Sequence, residues 1–273
     1  MGFKKPDSIT RAMIETGSKK AKKDWKKLIV LGFLAGAYIA FGAMMAIRIT
    51  AGMPVEVWGT FTKFVGGTVF SVGLVLVLLA GSELVTGNMT AIPLACFSGK
   101  AKWAGLLRNW IFVFLGNLLG ALFVAYFLSY QTGLLTVEPW LSKVQAIAQA
   151  KVSLTFSQAF WRAVGCNWLV GLAIWLAVAA DDVASKIIGI WFPIMTFVAL
   201  GFEHIVANLF FVPLGIMTGA TNVSAFIINN AIPVLLGNIV GAGLFVAAVY
   251  WYLYVKDSIK LNKQSSHHQK EAV

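Results

Sequence analysis

Charge is what this chain has least of. Charged residues fill 12% of its 273 positions, where a soluble domain carries about a quarter. That shortage excludes an ordinary water-facing globule. Acidic residues are scarcer still, 11 against 22 Lys and Arg, so a carboxylate inside an apolar run stands out. The two cysteines, Cys96 and Cys166, fall in or near apolar runs and offer neither a disulfide framework nor a metal-ligand spacing. Of three histidines, His267 and His268 sit together near the C-terminus, which leaves His204 alone in the apolar part. A histidine pair is a weak metal signal, and His204 lacks the second axial ligand or thiolate that a haem would want. No metal or cofactor is expected. Nor is a cleavable signal peptide: the first 27 residues are polar and basic, with no apolar core ending at a small-residue cleavage site.

What the chain has is apolar length. Hydrophobic residues make up 59%, the composition of a polytopic membrane protein. The net charge of +11 would suit nucleic acid, but the excess flanks the apolar runs, where lysine enforces topology. No nucleic-acid partner is expected.

Six hydrophobic segments are predicted: Leu28–Ile47, Phe64–Phe97, Trp103–Tyr130, Phe160–Ala180, Ile187–Ile228 and Ile232–Val255. The second and fifth exceed the roughly 20 residues of one span and carry polar residues inside. Residues 1–27 form a basic N-terminal segment with nine Lys/Arg, read either as an amphipathic helix on the membrane surface or as a solvated topogenic tail. Residues 28–256 form the transmembrane domain, and 257–273 a polar tail expected to be disordered. The short loops at Lys100/Lys102 and Lys186, with both ends of the chain, outweigh the other side in lysine. Both termini are therefore expected in the cytoplasm, with the protein in the inner or plasma membrane.

The two overlong segments match each other. Gly81, Glu83, Asn88 and Pro93 recur as Gly201, Glu203, Asn208 and Pro213, all offset by 120. Gly116-Asn117 with Gly120 recurs as Gly237-Asn238 with Gly241, offset by 121. Repeats at about 28–130 and 158–256 thus hold three spans each. An odd number makes the second half enter from the opposite side, with the broken second and fifth spans facing each other near the midplane. Irregular backbone is tolerated there only beside protein or a water-filled cavity.

Ionisable residues at membrane depth are costly and mark function by default. Glu83 and Glu203 recur, so they are read as supports for the breaks, accepting backbone N–H groups of the new helix N-termini. Asn88 and Asn208 are read as loop-fixing residues. His204 does not recur, its counterpart being Leu84, and it can donate a hydrogen bond or change charge near neutral pH. Thr86 stands opposite Val206, as a contact for a passing ion or as a helix cap. Lys151 either draws anions electrostatically or is a plain exposed lysine. Glycines spaced closely in several spans allow near approach of helices, within a bundle or an oligomer.

Gly201-Phe202-Glu203-His204-x-x-Ala207-Asn208, with Glu83-Leu84-x-Thr86-Gly87-Asn88 and Asn167 in Cys166-Asn167-Trp168-Leu169-Val170, closely resembles the signatures of the formate/nitrite transporter family over about residues 8–258. The resemblance implies an all-α, aquaporin-like bundle of six transmembrane helices built from two inverted three-helix repeats with broken helices 2 and 5. It implies a homopentamer in membrane lipid, with one pore per protomer, that passes formate, nitrite, hydrosulfide, acetate or lactate. A proton is a possible co-substrate. By motif, His204 is the central pore histidine, Thr86 the threonine of a mobile loop, Asn167 a pore asparagine and Lys151 a vestibule lysine. Leu74 and Phe197 match an outer constriction, Leu84 and Val85 a cytoplasmic one, although Val85 departs from the aromatic residue usual there. Formate is the first expectation and nitrite the second. A water or glycerol channel lacks its Asn-Pro-Ala loops here. An intramembrane enzyme lacks a nucleophile–base pair or metal cluster, so no enzymatic activity is expected.

Overall fold

A computed structural model describes residues 3–256. The expected tail at 257–273 lies outside the described residues. Among those described there is no strand, and apart from a single helical turn at Val55–Trp58 the helices run α1 Pro6–Lys22, α2 Trp25–Thr50, α3 Phe61–Leu79, α4 Val85–Phe97, α5 Trp103–Tyr130, α6 Trp140–Val152, α7 Phe156–Ala179, α8 Val183–Ala199, α9 Ile205–Met217 and α10 Val223–Tyr254. Five of these are long and apolar enough to cross a membrane. The sixth span is α8, whose 17 residues reach about 25 Å at 1.5 Å each.

Polar residues in the turns set where helices begin. Asp24, Asp182 and Asn222 accept from first-turn amides of α2, α8 and α10, and Thr155 opens α7 with a capping box. Asn222 also corrects one boundary. Residues 223–228 belong to the last span and not to the fifth segment, because the chain turns at Gly219 (φ 78°) and restarts on the Asn222 cap. Pro233 then sits inside α10, preceded by a π-helical stretch at Phe226–Ala231, where the ladder absorbs its missing N–H.

The two halves are built alike. In the first, α2 packs along α5; in the second, α7 packs along α10. Glycine permits both approaches. A Cβ on Gly116 would stand 2.8 Å from Gly32 Cα, and one on Gly237 would stand 2.7 Å from Ala163 Cβ. These glycines therefore serve packing within the chain.

The halves also extend further toward the N-terminus than expected. The N-terminal helix α1 is docked on the bundle: Ile9, Met13, Gly17 and Ala21, one every turn, are buried against α4 and its neighbours. Its apolar stripe is used up by protein contact. In the second half, α6 packs on α9 in the same relation. Each repeat thus carries a preceding helix that covers its own half-helix.

Candidate functional site

Each overlong segment is a full helix, a short extended re-entry and a half-helix. At Gly81 (φ 81°) and Gly201 (φ 73°) the chain leaves α3 and α8 in the left-handed region that glycine enters without strain. It then runs extended into the bundle to Leu84 and His204, the residues that cap α4 and α9.

The free amides at these half-helix starts are met by asparagines from the following span. Val85 N donates to Asn117 Oδ1 at 3.0 Å, and Ile205 N to Asn238 Oδ1 at 2.9 Å. Asn117 Nδ2 donates to Gly32 O and Glu83 O, and Asn238 Nδ2 to Ala163 O and Glu203 O. This corrects the reading of the two glutamates as acceptors for the helix amides. Glu83 and Glu203 point away from those amides, toward Asn88 and Asn208 inside the half-helices (2.8 and 2.7 Å) and toward lysines. Asn88 and Asn208 in turn donate to Asn109 and Asn230, both at 2.8 Å.

The lysines come from the covering helices. Lys20 of α1 and Lys23, which caps its C-terminus, reach Glu83 at 2.6 and 2.7 Å, and Lys151 of α6 reaches Glu203 at 3.0 Å. Burial lowers the pKa of Lys20 from the ordinary lysine value, and Glu83 opposes that shift. Buried charge is tolerable only when paired and hydrogen-bonded, and both clusters satisfy that condition.

Past the capping residues the halves differ. His204 Nδ1 accepts from Ala207 N at 3.2 Å, and Nε2 lies 2.8 Å from Thr86 Oγ1. A ring nitrogen that accepts an amide proton carries none of its own. The neutral tautomer therefore holds its proton on Nε2 and donates it to Thr86. This contact joins the N-termini of the two half-helices at the centre of the bundle. Asn167 stands beside it, donating to Asn238 O at 2.8 Å and Thr86 O at 3.3 Å, while its Oδ1 has no partner among the described residues.

A cavity of about 250 Å³ leads to His204 from the face opposite the N-terminus. Phe197 and Phe70 stack edge to face over the histidine approach, with ring centroids 5.8 Å apart and Phe197 5.9 Å from the His204 ring. The walls carry Lys63, Lys143 and Lys151, with Glu203 as the carboxylate. Three lysines against one glutamate leave the cavity net positive. A model of the formate/nitrite transporter sequence pattern matches residues 7–252, nearly the whole chain.

The chain belongs to the formate/nitrite transporter family.

The relatives agree. A protein of Methanothermobacter thermautotrophicus described as a probable formate transporter is 50% identical, over 93% of this chain and 98% of its own length. A formate channel of Bacillus thuringiensis is 41% identical, over 94% and 98%. Among solved structures, a family ion channel at 28% identity superposes with TM-score 0.83 over 90% of this chain and 98% of its own. A pentameric formate channel with formate bound, 37% identical, gives 0.75 over 86% and 99%. This is a family of multi-pass membrane transporters and channels, and the bundle of six spans with two broken helices is its fold.

The expected site residues separate into groups. His204, Thr86 and Asn167 meet at the centre, Leu84 caps α4 two residues before the histidine contact, and Phe197 and Lys151 line the cavity. Leu74 is buried one turn past Phe70 on α3, outside the cavity wall. Val85, the first residue of α4, is buried and packs with Leu107 and Ile239 around an apolar pocket. Lys63, Lys143, Lys20 and Lys23 were missed as site residues, as were Asn109 and Asn230. The asparagines carried a signal, since they repeat at offset 121 like Asn117 and Asn238.

Proposed function

We propose that this chain is a channel for small monovalent anions of weak acids, formate first, with His204 as the hydrogen-bond donor at the pore centre. The observation that carries it is the His204–Thr86 contact at the floor of a lysine-lined cavity, where two half-helices point their N-termini at one spot. Helix N-termini favour negative charge. Formate-named relatives and the formate-bound solved channel support the substrate and a homopentamer with one pore per protomer. The lysine distribution supports cytoplasmic termini. On that orientation the cavity opens outward.

An anion entering the cavity takes the place of Thr86 Oγ1 as acceptor of the Nε2 proton. Phe70 and Phe197 strip part of its water there, so a charge-assisted bond is needed to offset the loss. Handing the proton over is a separate matter. A neutral imidazole that gave up its Nε2 proton would become an imidazolate. Protonating formate therefore requires a second proton on Nδ1, where the Ala207 amide now sits. Hydrogen bonding without transfer is the step this geometry favours, and proton-coupled passage requires that the Ala207 bond open first. Nitrite is the second substrate, with hydrosulfide, acetate and lactate behind it.

The test is a proteoliposome flux panel of formate, nitrite, hydrosulfide and acetate at two pH values for wild type, His204→Asn and His204→Phe. Loss of a donor to a charged group is worth about 1.5–3 kcal/mol, or roughly 10- to 150-fold in rate. That fall is expected in His204→Phe, with partial rescue in His204→Asn. Unchanged rate and pH profile in the phenylalanine variant refutes the role of His204. Osmotic swelling without anion flux in the wild type would point to a neutral-solute channel.

A further inference from the structure

On the face that carries the N-terminus, a second cleft of about 630 Å³ lies between the end of α1, the 98–102 turn and the first turns of α5. Four of its wall residues are cations, Lys22, Lys100, Lys102 and Arg108, and no carboxylate is among them. None of the four forms an ion pair among the described residues. Lys20 and Lys23 on the same helix do the opposite, turning inward to Glu83. Of the four lysines at this end of the helix, Lys20 and Lys23 turn to an internal partner, Lys22 lines the cleft and Lys19 is exposed.

The cleft is held in shape. Arg108 Nη2 donates to Ala21 O and Lys23 O, closing the end of α1 with one edge of the guanidinium and leaving its other donors free. Ser18 Oγ donates to Lys100 O at 2.8 Å, tying the turn to the same helix. At Gly105 a Cβ would stand 2.9 Å from Ala21 O, so only glycine lets α5 come this close. The 28-residue helix α5 starts at Lys102 without a side-chain cap, which adds its positive end to the four cations.

Directly along α5 from the cleft runs an apolar strip. Trp103, Leu107 and Ile111, one per turn, are each more than half exposed. Phe97 packs on Trp103 at 5.4 Å and on Trp251 at 5.9 Å, an aromatic ledge at the strip's head. Tryptophan sits by preference at the headgroup level of a bilayer.

We propose that this cleft binds the phosphodiester headgroup of an anionic phospholipid, with an acyl chain lying along the Trp103–Leu107–Ile111 strip. A free phosphate would use the cations and leave the strip bare. A zwitterionic lipid would bring an ammonium group into a cleft that has no carboxylate to receive it. Clustered basic side chains beside a span hold acidic lipids at about 1 kcal/mol each, roughly fivefold per residue.

Native mass spectrometry of the full-length oligomer tests this with phosphatidylglycerol, phosphatidylcholine and soluble glycerol phosphate as probes. The variants are Lys22→Gln/Lys100→Gln/Lys102→Gln and, as a control for net charge on the same face, Lys19→Gln/Lys26→Gln/Lys27→Gln, none of which lines the cleft. Phosphatidylglycerol should be retained about tenfold or more over phosphatidylcholine. The triple variant should lose that preference and the control keep it, with glycerol phosphate failing to displace the lipid. The single Lys100→Gln change should cost roughly fivefold, which keeps the test valid if the triple variant does not assemble. Equal retention of the two lipids, equal loss in variant and control, or full displacement by glycerol phosphate overturns the proposal.

Discussion

The two breaks in the bundle share one construction and differ in its use. Each has a glycine at positive φ, a buried glutamate, an asparagine inside the half-helix bonded to it, and a second asparagine that caps the half-helix from the following span. What differs is the lysine count and the pore side. Glu83 has two lysines from α1, whereas Glu203 has one from α6. Leu84 and Thr86 face His204 and Val206 across the pseudo-symmetry. Construction is therefore duplicated, and chemistry is split between the copies: the histidine comes from one and its hydroxyl partner from the other.

The largest way to break the comparison is through the lysines. Lys151→Met leaves Glu203 as a buried charge with amide donors only, and removing one partner of such a pair costs about 3–5 kcal/mol. Lys20→Met leaves Lys23 on Glu83 and should cost about 1–2 kcal/mol, since a half-exposed partner remains. The double variant Lys20→Met/Lys23→Met should fall to the level of Lys151→Met. Thermal unfolding of the purified protein reads all three. Equal losses in Lys20→Met and Lys151→Met would show that the two clusters are not electrostatically distinct. The Lys20 term also has a sign on pH. Burial lowers its folded pKa, so the unfolded chain binds more protons just below the ordinary lysine value. Stability gains from this group as pH rises through that range, and Lys20→Met should flatten that part of a melting-temperature profile.

The second test asks whether the construction is truly shared. Asn117→Ala and Asn238→Ala each remove a cap acceptor and donors to two carbonyls. Buried partners left unsatisfied cost about 1–3 kcal/mol, and the two variants should lose the same amount within about 0.5 kcal/mol. A clear inequality would mean that one half depends on its break more than the other. The third test concerns the split chemistry. Thr86→Val takes away the resting acceptor of the His204 proton, which the anion has to displace, and should lower the half-saturating formate concentration by roughly fivefold, about 1 kcal/mol. Val206→Thr, at the matching place in the other half, should leave flux within about twofold.

Much of this was legible in the sequence because the repeat is chemical as well as statistical. Gly81/Gly201 and Glu83/Glu203 announce a break, and the lack of a second histidine isolates His204. The limits were those of distance along the chain. Asn117 caps Val85 from 32 residues away and Asn238 caps Ile205 from 33, so their glycine-asparagine match was visible while their partners were not. Glu83 was assigned to the helix amides because a carboxylate near a helix start is the local solution. Here the asparagines hold that place and the glutamate pairs with lysines brought in by another helix. Lys20 and Lys23 were hidden among the nine basic residues of the first 27. No periodicity says which lysine on an amphipathic helix turns inward.

The same bookkeeping of partners moves the capture of anions away from Lys151. Its ammonium is matched by Glu203 at 3.0 Å, so the field of that pair dies off quickly with distance. Lys63 and Lys143 line the same cavity without an ion-pair partner among the described residues. On the proposed anion path, these two lysines are the ones placed to supply long-range attraction. A single charge acting on an anion about 10 Å away through water is worth about 0.4 kcal/mol, so two give roughly a fourfold gain. Lys63→Gln/Lys143→Gln should therefore reduce low-salt formate entry from the cavity side by roughly fourfold, and the difference should close near 0.5 M salt, where the screening length drops below about 5 Å. Flux from the N-terminal face should change less. Orientation-controlled proteoliposomes read both directions. A variant that slows both equally at every ionic strength would return the charge to the pore centre. The difference between the halves would then lie in His204 alone.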